Sequence, residues 1–289
     1  MFTLETQFDE PMRERVGTIE VEIGCTFEFD SPRATHAIVM VEPHFSEAAN
    51  VVETRFELDP TNASSVYHDH FGNTCRRIDL AAGKVRLSFD ARVNVADHAD
   101  PEVWSAVEVA PSDLPDEALL FLLPSRYCES DVLADEAFRL FGSTPSGWAR
   151  VQAISDWANG HLGFQYGASS PSFSARDVFD RGLGVCRDFS HLAITMCRAL
   201  NIPARYVFGY LPDIGVPDPG TPMDFCAWME IFLGDSWHTF DPRNNERRVG
   251  RVVIGRGRDA ADVAMVTSFG SVQLHSMLVR AQEPAASTP

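Results

Sequence analysis

One cysteine has a sequence environment that favours nucleophilic chemistry. Cys186 follows a glycine-rich turn at residues 182–184 and begins a segment whose apolar residues recur three and four positions apart, which predicts a helix over residues 186–200. In the first turn of a helix, unpaired backbone N–H groups and the helix dipole favour the thiolate over the thiol. Because the thiolate is the nucleophilic form, Cys186 is a candidate for covalent catalysis. A buried cysteine with a purely structural role is the alternative.

The overall charge limits the classes of partner. The chain has 289 residues, is 45% hydrophobic and carries a formal net charge of −17, with a pI of about 4.8. Its length allows one large or two ordinary domains with a sizeable core. Binding to nucleic acid or to an anionic membrane surface needs a basic face, so neither is expected as the main partner.

The distribution of apolar residues and cysteines favours a cytoplasmic protein. No apolar run reaches the roughly 18 residues of a membrane span, and residues 1–6 lack the basic start of a secretory signal. The six cysteines contain no CxxC pair, so their spacing indicates neither a disulfide framework nor a zinc module. We expect their thiols to stay reduced, as they do in the cytoplasm.

Alternating apolar and polar residues predict an antiparallel β-sandwich over residues 1–110. The clearest alternation covers residues 18–30 and places Cys25 in the core; similar strands are predicted at 36–42, 52–58 and 85–95. The sequence His68-Asp69-His70 could place two metal ligands on one face of a strand. The Phe71-Gly72-Asn73 sequence that follows is typical of a turn, and it favours a solvated hairpin instead.

The rest of the chain reads as helices followed by a sheet. A proline-punctuated connector over residues 111–145 contains a predicted helix near 132–141 and a structural Cys128. The second domain, residues 146–289, begins with predicted helices at 146–159, stopped by Gly160, and at 175–181. Strands are then predicted at 204–210, 225–233, 236–241, 251–254 and 272–280. The predicted fold class is therefore α+β.

Five ordered motifs in residues 146–270 resemble the bacterial transglutaminase-like superfamily. They are Gly-Val-Cys-Arg-Asp-Phe at 184–189, Arg-Ala-Leu-Asn-Ile-Pro-Ala-Arg-Tyr-Val at 198–207, Gly-Tyr-Leu-Pro at 209–212, Ala-Trp-Met-Glu at 227–230 and Trp-His-Thr-Phe-Asp-Pro at 237–242. The resemblance implies a papain-like core, in which the nucleophile helix packs on an antiparallel sheet. The β-rich N-terminal region is similar to the domain that commonly precedes this core.

The resemblance also implies a Cys-His-Asp triad acting on amide bonds, and this chain departs from it at one position. Cys186 matches the family's cysteine and Asp241 its aspartate, but Cys226 stands where the histidine usually precedes Ala-Trp. A thiol titrates near 8.5 and offers one weak site, whereas an imidazole titrates near neutrality and has two distinct nitrogens. The candidate site is therefore a degenerate triad of Cys186, Cys226 and Asp241.

Hairpin geometry tests whether another histidine could replace the missing one. A two-residue link at Gly234-Asp235 puts Cys226 and Asp241 on one face of the sheet, and it turns His238, opposite Ile231, to the other face. His191 lies about 140° around the helix from Cys186, which favours a position on the flank of the helix. His275 has no place assigned by the pattern.

Three functions remain open at this stage. The first is a cysteine peptidase, amidase or acyltransferase that uses the Cys186 thiolate on a protein or peptide substrate, without cofactor or resident metal. The second is a catalytically inactive scaffold that binds a peptide or protein partner in the same groove. The third is redox or soft-metal use of the Cys186–Cys226 pair. A local group of arginines, predicted to form internal ion pairs rather than an anion-binding patch, lies at positions 243, 247, 248, 251, 256 and 258.

Overall fold

Antiparallel strands dominate the computed structural model, which describes residues 17–217 and 219–284. The strands are β1 (Thr18–Ser31), β2 (Thr35–Val39), β3 (Val51–Asp59), β4 (Ser64–His68), β5 (Thr74–Leu80), β6 (Gly83–Ala96), β7 (Gly163–Phe164), β8 (Leu183–Gly184), β9 (Ala204–Tyr210), β10 (Cys226–Leu233), β11 (Ser236–Phe240), β12 (Val252–Gly257), β13 (Val266–Ser268) and β14 (Gln273–Gln282). The helices are α1 (Asp116–Leu119), α2 (Ala134–Phe141), α3 (Trp148–His161), α4 (Ala175–Arg181) and α5 (Cys186–Ala199). The predicted α+β class is confirmed. The first sixteen residues, including those used to argue against a secretory signal, lie outside the described residues.

Two four-stranded sheets form the predicted N-terminal sandwich. One has the order β14-β1-β6-β3 and the other β13-β2-β5-β4. The alternation of β1 is realised as predicted, because Val21, Ile23, Cys25, Phe27 and Phe29 are all buried. Strands β4 and β5 had not been predicted. All of β4 is exposed, so it lacks the apolar alternation that identifies a half-buried strand.

The end of the chain returns to this sandwich, which corrects the placement of a predicted strand. The strand predicted at 272–280 is present as β14, but it pairs antiparallel with β1 and not with the sheet of the second half. Val279 and Ala281 lie opposite Cys25 and Ile23 and are buried with them. The division into residues 1–110 and 146–289 therefore does not follow the sheets. The residues around each of these two strands do not indicate that they pair, because the strands lie far apart in the sequence.

The second half places one helix on a four-stranded sheet. The sheet has the order β11-β10-β9-β12, and α5 packs against β10 and β9. Helix α5 is buried from Asp188 to Arg198, as expected for a helix between other layers. The prediction that Gly160 stops the preceding helix was wrong, because α3 continues to His161. The ring of His161 stacks on Trp157, with 4.7 Å between centroids, and this contact holds the last turn.

The sandwich packs directly behind the strand that begins with Cys226. The hydroxyl of Tyr210 in β9 donates to Val41 O at 2.9 Å, and the ring of Phe225 lies 6.3 Å from that of Phe27. Buried apolar side chains are continuous from the sandwich into the α5 layer. The position of β10 is thus fixed by both halves of the chain.

The predicted hairpin at residues 68–73 is present, because His68 pairs with Thr74, but it is not solvated throughout. Asn73 is buried, and the hairpin forms a second contact between the halves. Asp69 Oδ1 accepts from the backbone N–H groups of Phe71 and Asn73, both at 2.9 Å. The side chain of Asn73 then donates to Arg256 O at 2.8 Å and accepts from Arg256 N–H at 2.7 Å. Within the described residues, no group of three or more His, Cys, Asp or Glu side chains is arranged to hold a metal ion.

The connector over residues 111–145 packs on the second half. Arg198 of α5 donates to Leu123 O at 3.2 Å and to Ser125 Oγ at 3.0 Å. Cys128 is fully buried, and burial raises its pKa to about 12, which fits a structural role. Across residues 17–217 and 219–284, no helix is long and apolar enough to span a membrane.

Candidate active site

Two glycines and one aspartate set the start of α5, where Cys186 lies. Gly182 ends α4 with a φ of +67°, a conformation that favours glycine. At Gly184 a side chain would bring its Cβ to 2.7 Å from Asp188 Cβ. The Asp188 carboxylate accepts from Val185 N–H at 2.9 Å. This tight turn places Cys186 as the first residue of α5, partly exposed.

The structure brings Cys186 and Cys226 together. Cys226 is the first residue of β10 and is also partly exposed. The two thiols share a hydrogen bond that lowers the pKa of Cys186 and raises that of Cys226 well above the ordinary thiol value. Burial and the charges of Asp224 and Asp241 oppose the shift at Cys186, while a backbone hydrogen bond at Ala227 supports it. Because the two pKa values are shifted in opposite directions, Cys186 is the first of the two thiols to ionise as the pH rises.

Asp241 joins this pair through a residue that sequence reasoning missed. Asn244 Nδ2 donates to Asp241 Oδ2 at 2.8 Å and lies 4.0 Å from Cys226 Sγ. The backbone N–H of Asn244 donates to Asp241 Oδ1 at 3.0 Å. A backbone N–H bonded to an aspartate side chain three positions earlier is typical of turns, so the Asp-Pro-Arg-Asn sequence at 241–244 could have revealed the contact.

A buried arginine neutralises Asp241. Arg251 Nη2 lies 2.9 Å from Asp241 Oδ2, and Arg251 Nε lies 2.7 Å from Asp100 Oδ2. The guanidinium also covers the ring of Trp228 at 4.8 Å. Burial lowers the pKa of Arg251, but the carboxylates of Asp241 and Asp100 outweigh it and raise the pKa above the ordinary value. Arg251 therefore stays charged.

The prediction of internal ion pairs is confirmed for five of the six clustered arginines. The pairs are Arg247 with Glu102, Arg248 with Asp213, Arg251 with Asp100 and Asp241, Arg256 with Glu230, and Arg258 with Asp262. Arg243 differs, because its guanidinium lies 4.4 Å over the ring of Phe164 and donates to Asn244. Most of these arginines are therefore neutralised by carboxylates of the same chain.

A groove gives outside molecules access to the two thiols. It has a volume of about 160 Å³, and residues of the proline-rich loop 211–224 border it. Phe164, held by the short parallel pairing of β7 with β8, forms part of one wall with Tyr166. Asp224 lies beside Cys226 in the lining, and burial raises the pKa of its carboxyl group.

All histidines lie in the described part of the chain. None of them contacts Cys186 or Cys226. His238 pairs with Ile231, as the hairpin register predicted, and packs 5.4 Å from the ring of Trp148. His191 is buried on α5, where it is 1% exposed and its Nε2 accepts from Ala260 N–H at 3.1 Å. His275 lies on β14, 3.7 Å from Asp30.

Comparison with known proteins agrees with this geometry. Residues 137–242 match the family described as "Transglutaminase-like superfamily". A crystal structure of a candidate cysteine protease from Cytophaga hutchinsonii superimposes with a TM-score of 0.82 at 29% identity, covering 94% of this chain and 93% of that one. This likeness extends over both halves of the molecule, so the architecture as a whole has a solved counterpart.

Proteins of two mycobacteria are similar to this chain in sequence. A protein of Mycobacterium leprae is 27% identical over 252 residues, which cover 84% of this chain and 86% of that protein. A protein of Mycobacterium tuberculosis is 31% identical over 176 residues, covering 56% of this chain and 46% of that protein. The match to the second relative therefore spans less than half of its length.

Proposed function

This chain belongs to the transglutaminase-like superfamily through residues 137–242, and from that premise we propose that it is a cysteine-dependent peptidase, amidase or acyltransferase acting on amide bonds of a protein or peptide. Cys186 is the proposed nucleophile, and Cys226 takes the place of the family's histidine. The observation that carries the proposal is the position of Cys186 as the first residue of α5, in a solvent-accessible groove that Cys226 also lines. The lowered pKa of Cys186, whose largest cause is a hydrogen bond with Cys226, supports it.

Acylation uses both sulfurs. The Cys186 thiolate attacks the carbonyl carbon of the amide, and the carbonyl electrons move to oxygen, where first-turn N–H groups of α5 stabilise the negative charge. As the C–N bond breaks, the Cys226 thiol gives its proton to the departing amine. The products are a thioester on Cys186, a free amine and a Cys226 thiolate.

Deacylation returns the proton. The Cys226 thiolate, whose pKa burial and the charge of Asp241 still raise in the thioester state, takes a proton from water or from an acceptor amine as that group attacks the thioester. The C–S bond then breaks and the Cys186 thiolate is regenerated. Asn244, held by Asp241, orients Cys226 for both transfers.

Two substrates with different leaving groups test this assignment. p-Nitrophenyl acetate releases a phenolate that needs no proton, so the native chain and Cys226→Ala should both show a burst and carry acetyl on Cys186. A peptide p-nitroanilide releases an amine that needs a proton, so Cys226→Ala should cleave it about 10²-fold more slowly, a typical loss for general acid catalysis. Cys186→Ala should abolish both reactions, and Cys197→Ala, a buried cysteine of the same helix, is the matched control. Activity that survives in Cys186→Ala would overturn the proposal.

One observation favours the second function, a catalytically inactive scaffold that binds a peptide or protein partner in the groove. Both carboxylate oxygens of Asp241 are already engaged by Asn244 and Arg251, and no imidazole reaches the thiols within the described residues. A scaffold would show neither a burst nor an acetylated Cys186 in the native chain. It would still bind peptide, which calorimetric titration of peptide mixtures into Cys186→Ala would detect.

We place this chemistry in the cytoplasm. All six cysteines are free thiols, and both proposed steps need Cys186 and Cys226 reduced, which a reducing compartment maintains. Fractionation of cells that produce the protein tests the assignment. Recovery of the chain mainly outside the cytoplasmic fraction would contradict it.

A further inference from the structure

The six cysteines fall into two classes that predict different reactivity. Cys186 and Cys226 are partly exposed and line the same groove. The other four are fully buried in the two hydrophobic layers, and burial raises the pKa of each thiol: they are Cys25, Cys75, Cys128 and Cys197. Only the first class combines access from solvent with a neighbouring sulfur.

We propose that Cys186 and Cys226 form a reversible disulfide when the protein meets a hydroperoxide, so that the groove carries an oxidation site with its own resolving cysteine. The proposal uses the same two sulfurs as the proposed function and rests on the same geometry. It requires no acyl transfer, however, and it applies equally to an inactive scaffold.

The chemistry balances in two steps. The Cys186 thiolate attacks one oxygen of the hydroperoxide; the O–O bond breaks, Cys186 becomes a sulfenic acid, and hydroxide or alkoxide leaves with the proton it acquires. Cys226 then attacks the Cys186 sulfur, an S–S bond forms, the S–O bond breaks, and the oxygen leaves as water with the Cys226 proton. A small thiol compound reverses the change by two exchange steps and is itself oxidised to a disulfide.

Several contacts make the second step faster than further oxidation of Cys186. Both sulfurs line one groove, and Cys186 Sγ lies 4.0 Å from the carbonyl oxygen of Phe225, the residue that precedes Cys226. The resolving cysteine is therefore next to the position where the sulfenic acid would form. Asn244 Nδ2, 4.0 Å from Cys226 Sγ, holds a donor against that sulfur. A susceptible cysteine of this kind is a low-pKa thiol that is open to solvent and lies beside a resolving cysteine, which describes this pair.

Treatment of the reduced protein with hydrogen peroxide, followed by native alkylation and peptide mass mapping, tests the proposal. We expect one Cys186–Cys226 cross-link with the loss of two hydrogens, complete loss of alkylation at both positions, and full recovery after dithiothreitol. Cys226→Ser should form no cross-link and should instead accumulate a Cys186 sulfenic acid that dimedone traps. The four buried cysteines are internal controls and should stay unmodified.

Two results would overturn the proposal. The first is a Cys186 sulfinic acid in the native chain while Cys226 remains open to alkylation, and the second is a cross-link that involves a buried cysteine. The acetylation assay is run separately on fully reduced protein, so the two proposals fail independently. A protein that forms the disulfide but never acylates keeps its oxidation site and loses its proposed catalysis.

Discussion

Asp241 and Arg251 form an ion pair that is closed off from water behind the two thiols. Their carboxylate and guanidinium atoms are 2.9 Å apart, and the side chains are 1% and 6% exposed, respectively. Trp228 covers the guanidinium on one side, and Asp100 binds it from another. The carboxylate that would orient a histidine in the family's triad is thus committed to a cation of the fold itself. Asp241 binds Arg251 in a chain that has no histidine at position 226 for it to orient.

Arg251→Met should destabilise the protein strongly, because it leaves the carboxylates of Asp241 and Asp100 buried without their cation. Removing one partner of a buried pair costs about 3–5 kcal/mol, and we expect a loss of that size in the free energy of unfolding measured with urea. Arg247→Met is the matched control. Arg247 pairs with Glu102 on the surface, where its side chain is 51% exposed, so the control should lose at most about 1 kcal/mol. Equal losses in the two variants would contradict the assigned role of Arg251.

The rate of alkylation of Cys186 should depend on Cys226 in a defined direction. The pKa of Cys186 is lowered, and a hydrogen bond with Cys226 is the largest cause. Cys226→Ala removes that hydrogen bond, so the pH at which iodoacetamide reaches half its maximal rate should rise toward the ordinary thiol value of about 8.5. Cys226→Ser keeps a donor and should move the midpoint less. A midpoint that falls in Cys226→Ala would show that Cys226 raises the pKa of Cys186, which contradicts the proposal.

Local sequence patterns predicted the parts of this molecule that depend on neighbouring residues. The helix that begins at Cys186, the hairpin at Gly234-Asp235 and the turned-away His238 all follow from periodicity and register over short distances. The pairing of β14 with β1 does not, because it joins segments about 250 residues apart. The same limit hid the ion pair between Asp100 and Arg251, since nothing near either residue indicates the other.

Stability should fall as the solution is acidified below neutrality, in part because of His191. Burial and the nearby charges of Arg187 and Arg198 lower the pKa of His191 well below 6.5. In the unfolded chain the imidazole takes up a proton near pH 6.5, whereas in the folded chain it does not, so acid favours unfolding with a slope of up to about 1.4 kcal/mol per pH unit. The free energy of unfolding should be measured with urea at several values between pH 7.5 and pH 5.

Two substitutions isolate the contribution of His191. His191→Phe keeps a flat ring between Tyr127 and Tyr206, whose ring centroids lie 5.1 Å and 5.0 Å away, and His191→Gln keeps a polar group. Neither side chain titrates, so the pH dependence should flatten in both variants even if their stabilities at pH 7.5 differ. An unchanged slope in both would assign the acid sensitivity to other groups.

The contact between the sandwich and the second half should be sensitive to Glu230. Its buried carboxylate lies between Arg205 and Arg256, with Arg256 Nε at 2.9 Å, and Arg256 also donates to Ser46 Oγ of the sandwich side at 3.0 Å. Glu230→Gln would leave two guanidinium groups without their counter-ion, so we expect a loss of about 3–5 kcal/mol in urea unfolding. Glu57→Gln, at an exposed pair with Arg55, is the control and should change little.

Cys226→His should restore an imidazole at the family's histidine position and separate the two proposed functions. The imidazole would meet an Asp241 that already binds Asn244 and Arg251, so only partial orientation is available to it. Even so, an imidazole titrates near neutrality and transfers protons more readily than a thiol of raised pKa. Deacylation of acetyl-Cys186 near pH 7 should therefore become faster than in the native chain, with mass spectrometry following the acetylated peptide over time. If Cys186 is never acetylated in the native chain but is acetylated in Cys226→His, the native protein is a catalytically inactive scaffold, and the general base is the one group that it lacks. If neither does, the geometry around Asp241 and Arg251 is itself incompatible with turnover.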